Sequence, residues 1–97
     1  MTKQIKFEIS KKPGPLGMSV EDQPLLVRSA TSGWVANKEI EFTDQVINVF
    51  LKMRGQKGMV YEMKMILNAV TKDIKIELET NGVSTKELEF PLSSFNL

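Results

Sequence analysis

The chain is 97 residues long, room for one domain with a single core, and its 13 Lys and Arg nearly balance 12 Asp and Glu to give a net charge of +1. With the basic residues scattered, that balance excludes the electrostatic footprint of a nucleic-acid partner and the polybasic cluster that holds a lipid surface. Histidine and cysteine are both absent, which removes the commonest general base, the Ser-His and Cys-His pairs, thiolate metal sites and disulfides together.

Ile5, Phe7 and Ile9 alternate with Lys6, Glu8 and Ser10, the period of a half-buried first strand. It ends at Lys11-Lys12 and the bend Pro13-Gly14-Pro15, after which Leu16, Met18 and Val20 share one face of a second strand ending near Glu21. Asp22-Gln23-Pro24 reads as a turn and Leu25–Arg28 as a third, short strand. Thr31-Ser32-Gly33 breaks the chain, and Trp34–Lys38 is predicted to wind one short helix before Glu39–Phe42 turns extended. Gln45–Leu51 carries no charge and is rich in β-branched and aromatic residues, which predicts a strand buried on both faces.

Beyond Gly55-Gln56-Lys57-Gly58, the residues Met59, Met63, Ile66 and Val70 recur at helical spacing with Val60 and Leu67 beside them. The run from Met59 to Val70 is therefore predicted as a second helix, with an apolar stripe of roughly 120°. Ile74, Ile76 and Leu78 alternate with charged residues as another strand. Asn81-Gly82 then signals a hairpin, and facing Ile76 with Leu88 and Ile74 with Phe90 requires a three-residue loop or a bulge there. Pro91 is expected to end that last strand. Five or six mostly antiparallel strands and two helices make a small α+β domain over residues 1–80, with 81–97 as a C-terminal extension.

Carboxylates such as Glu21, Asp22 and Asp44 remain with Ser19 and Ser32, but none falls in a nucleophile or metal-ligand spacing. No catalytic residue, metal or cofactor is expected, and the chain is read as no enzyme. There is no run of eighteen apolar residues, and Thr2–Lys6 lacks the apolar core of a signal peptide. Together with the missing cysteines, this makes a cytoplasmic setting the expectation.

The loop Pro15-Leu16-Gly17-Met18 resembles the X-Φ-Gly-Φ loop of PDZ domains, where Φ is apolar. Asp44 with the apolar rhythm of Val46, Ile47 and Val49, and Gly33-Trp34-Val35-Ala36 ahead of the short helix, are similar to further motifs of that family. The likeness covers about Ile5 to Thr80, whereas the glycines and asparagine of the family's middle motif are missing around Thr43 and Phe50, and Lys64 takes a place that is usually apolar. The resemblance implies a PDZ-like partly open barrel or sandwich that captures the C-terminal peptide of a partner as an added strand.

On that resemblance the amides around Leu16, Gly17 and Met18 would hold the terminal carboxylate, with Lys11 or Lys12 adding longer-range attraction. The peptide-binding set is then Lys12, Leu16, Gly17, Met18, Ser19, Val20, Met59, Met63 and Ile66. Met59 occupies the place where a histidine would select Ser or Thr, so ligands ending apolar-x-apolar are expected. The chain itself ends Phe95-Asn96-Leu97, which fits that motif and would allow capture by a neighbouring copy. The alternative is a structural or oligomerisation module with the same shape and an unused or self-occupied groove.

Overall fold

The computed structural model describes all of residues 1–97. Nine strands follow one another along the chain: β1 (Thr2–Lys11), β2 (Leu16–Val20), β3 (Gln23–Leu25), β4 (Arg28–Ala30), β5 (Gly33–Glu41), β6 (Val46–Gly55), β7 (Val60–Leu67), β8 (Val70–Glu77) and β9 (Gly82–Pro91). A single 3₁₀ turn, Leu92–Phe95, closes the chain. Sheet A has the order β4-β5-β1-β7-β8 and sheet B the order β3-β2-β6-β9, and every pairing is antiparallel.

Period-two burial explains why these segments are strands. Ile5, Phe7 and Ile9 of β1 point inward, as do Ile47, Val49, Leu51 and Met53 of β6, while the residues between them face out. The two inward faces enclose one apolar core of 22 residues, and no polar or charged residue is buried in it. Sheet stacking of this kind makes a β-sandwich. The expected α+β PDZ-like architecture is thereby corrected: the chain contains no α-helix.

The segment predicted as the second helix shows why. Its helical stripe of Met59, Met63, Ile66 and Val70 competes with a strand alternation of Tyr61, Met63, Met65 and Leu67. A helix would turn Tyr61 and Met65 out of its stripe, whereas the strand buries both completely. Burying each such side chain contributes about 1.5–3 kcal/mol, so the strand prevails. A two-residue turn, Asn68-Ala69, then leads straight back into β8, with φ of 53° and 61° as a type I′ hairpin requires. Glu21-Asp22 forms a second such turn, between β2 and β3, with φ of 50° and 61°.

Other expectations change with the sheet assignment. Trp34–Lys38 lies inside β5, the most extensive partner of β1 on that side, and not in a helix. The third strand is split into β3 in sheet B and β4 in sheet A. β6 is buried on one face only, because Asn48, Phe50, Lys52 and Arg54 point outward. β8 does not form a hairpin with β9: the chain crosses at Leu78–Asn81 to the other sheet, and β9 pairs along its whole length with β6. Residues 81–97 are thus part of the sandwich, with β9 ending at Pro91 and Leu92 and Phe95 buried in the core.

Candidate functional site

The nine residues expected to bind a peptide do not meet in one groove. Leu16, Met18 and Val20 are buried in sheet B's inner face and Met63 in that of sheet A, so they are core. Met59 is half-buried in the turn before β7 and packs against that core, while Ile66 lies on the outer face of sheet A opposite Lys6 and Thr71. Gly17 and Ser19 lie on the outer face of sheet B. Lys12 caps the far end, its ammonium 5.2 Å from the centroid of the Trp34 ring.

Of the amides meant for a carboxylate, those of Gly17 and Met18 are engaged in the ladder. Glu21 N–H donates to Asn48 O at 3.0 Å and Arg54 N–H to Pro15 O at 3.3 Å, which fixes the alternation between them: Gly17 and Ser19 bond to β6, Met18 and Val20 face β3. The glycine that the loop requires is Gly14, where a Cβ would overlap the Arg54 carbonyl oxygen. There the Tyr61 hydroxyl donates to Arg54 O at 2.7 Å, with Pro15 O also 3.2 Å away. A Cβ at Gly17 would meet only Lys52 Cβ at 3.8 Å, an ordinary contact. Likewise Phe95 is fully buried and packs edge-on against Phe90 with ring centroids 6.2 Å apart, so it is not a free ligand tail.

The surface that stands out is the outer face of sheet B. Cross-strand register lays it out in rows across β2, β6 and β9: Glu21, Asn48, Glu89; then Ser19, Phe50, Glu87; then Gly17, Lys52, Thr85; then Pro15 and Arg54 with Val83. Phe50 is 37% exposed at the centre and Val83 53% exposed at the basic end. Acidic side chains occupy one half and basic ones the other. A hollow of about 220 Å³ lies among the acids and one of about 280 Å³ beside Gly17, Lys52 and Arg54. None of Lys52, Arg54, Glu87 and Glu89 takes part in the three ion pairs of the molecule.

Sheet A's outer face is built differently. Its central row reads Arg28, Val35, Glu8, Lys64, Asp73 from β4 to β8, so charges alternate and each is flanked by its opposite or by Val35. A hollow of about 330 Å³ beside Trp34 opens on this face, but Lys6, Glu8 and Lys64 line it with both signs intermixed. Opposite charges that neighbour one another leave little field to recognise a partner.

The long edge strands β8 and β9, and the part of β5 that β4 leaves uncovered, are guarded. Lys72 on β8 stands opposite buried Met65, Lys86 on β9 opposite buried Leu51, and Lys38 on β5 opposite buried Ile5. Each lysine therefore points to the inner side of its sheet, where an incoming strand would have to bury it. Reading Gln45–Leu51 alone conceals this site; extending the alternation to Lys52 and Arg54 places Phe50 on a polar outer face. Comparison with protein-family models, with curated proteins and with solved structures found no match.

Proposed function

We propose that the chain is a protein-interaction module that engages a folded protein surface through the outer face of sheet B. The observation that carries this reading is the central, exposed Phe50 between an acidic and a basic half, in which Lys52, Arg54, Glu87 and Glu89 form no ion pair within the molecule. Aromatic anchors surrounded by complementary charge are what protein interfaces use for affinity and for steering. The stretch Asn37–Glu41 of β5, beyond the three residues that β4 covers, would be the place for an added strand. Inward-pointing Lys38 opposes that mode, and its ammonium already donates to Pro24 O at 3.3 Å.

A photo-crosslinking residue at position 50, compared with one at position 64 on sheet A, tests the reading in cells that make the protein. Discrete protein adducts from position 50, lost on Lys52→Glu/Arg54→Glu and absent at position 64, are expected. Equal adduct patterns from both faces would overturn it.

A further inference from the structure

We propose that the occupant of sheet B's outer face is the same face of a second copy of this chain. This rests on the reading that the face engages a folded protein, and it names the partner. The pairing is isologous, about a two-fold axis that lies in the interface, runs perpendicular to the strands and passes between Phe50 and Lys52.

The row order dictates that axis. Rotation about it carries the row of Phe50 onto the row of Lys52, and the row of Asn48 onto the row of Arg54. Lys52 of one copy then faces Phe50 and Glu87 of the other, a cation over an aromatic ring beside a carboxylate. Arg54 faces the row that holds Glu89. The same contacts recur by symmetry, so all four unpaired charges gain opposite partners in a single closed arrangement. A two-fold axis along the strands would instead set acids on acids and bases on bases. The face is thus complementary to itself in one orientation and repulsive in the other, which sets register without any further device.

Sheet A's outer face offers no such pairing, because its signs alternate along the row and a rotated copy matches no better than a displaced one. Size sets the strength. Three strands about 4.8 Å apart and four rows of outward side chains cover about 400 Å² per copy, so the dimer buries less than a standard specific interface and falls in the range of weak, transient ones. It is a reversible dimer that forms on concentration and weakens with salt, since its charges sit at the rim of one aromatic anchor.

Sedimentation equilibrium of the purified chain, from about 10 µM to about 1 mM, is the test. The wild-type mass is expected to rise toward twice the monomer value at low salt. Lys52→Glu/Arg54→Glu and Glu87→Lys/Glu89→Lys should each remain monomeric throughout, and a one-to-one mixture of the two should associate again. All four positions are exposed, and far-UV circular dichroism checks that each variant keeps its strands. A wild-type monomer over the whole range overturns the self-pairing; if position 50 still crosslinks to a different protein, the face reading survives and only the occupant is wrong. A dimer that persists in both charge-reversed variants places the contact elsewhere and overturns the self-pairing as well.

Discussion

Lys72 stands opposite Met65 in the β7–β8 ladder, and its ammonium lies 5.3 Å from the centroid of the Phe95 ring. A cation on the inward side of an edge strand keeps its charge by resting on an aromatic face at the rim of the core, a contact worth about 0.5–1 kcal/mol when exposed. Lys86 holds the equivalent place on β9, opposite Leu51. The two long edges at β8 and β9 are closed to strand addition by these two residues, which leaves the faces for recognition.

Replacing both guards, Lys72→Val with Lys86→Val, is expected to convert these edges into association sites. The measurement is light scattering at rising concentration, made in the Lys52→Glu/Arg54→Glu background so that sheet B's face does not contribute. Growth of scattering beyond that background is predicted, and an unchanged monomer would show that the lysines guard nothing.

Gly14, in the bend, and Gly17, in β2, lie three residues apart but respond differently to a methyl group. Gly14→Ala forces a Cβ into the Arg54 carbonyl and toward the Tyr61 hydroxyl, and backbone cannot step aside as a side-chain tip can. A loss of about 1–3 kcal/mol is expected in urea unfolding, the usual cost of overpacking. Gly17→Ala should stay within about 0.5 kcal/mol, as for an ordinary surface change. Equal costs would contradict the placement of β2 in the sheet.

Ala69 occupies the second central position of a type I′ turn at φ 61°, where a side chain is strained and glycine is preferred. Ala69→Gly should therefore stabilise the fold by about 0.5–1 kcal/mol, part of the relief being offset by the greater freedom of glycine in the unfolded chain. A lowered urea midpoint would mean that the turn does not have this geometry.

Phe95 fills the core between Phe90 and Lys72 and is fully buried. Phe95→Ala should cost about 3–5 kcal/mol, the range for truncating a buried aromatic. A nearly neutral result would return the end of the chain to the role of a free tail. The same change distinguishes a core residue from a ligand-like one, because only the former moves the midpoint of the monomer.

Much of the sandwich is legible in the sequence where one period stands alone. β1 and the second half of β8, from Ile74, alternate apolar with charged residues and admit no helical reading, and Pro91 ends β9 as expected. β7 is harder, because Met59, Met63, Ile66 and Val70 satisfy one period and Tyr61, Met63, Met65 and Leu67 the other. Local sequence does not arbitrate between them; the I′ turn at Asn68-Ala69, which returns the chain antiparallel at once, does. The candidate site was hidden for a related reason. Its residues come from three strands far apart in sequence, and only the pairing of β6 with β2 and β9 gathers Phe50, Lys52, Arg54, Glu87 and Glu89 on one face.

The most direct measurement is the concentration dependence of backbone amide chemical shifts in the wild-type chain. Dilution should move resonances of β2, β6 and β9 around Phe50, Lys52 and Glu87, while those of Lys64 and Asp73 on sheet A stay fixed. Shifts confined to β5 or β8, or none at any concentration, would contradict self-pairing through the outer face of sheet B.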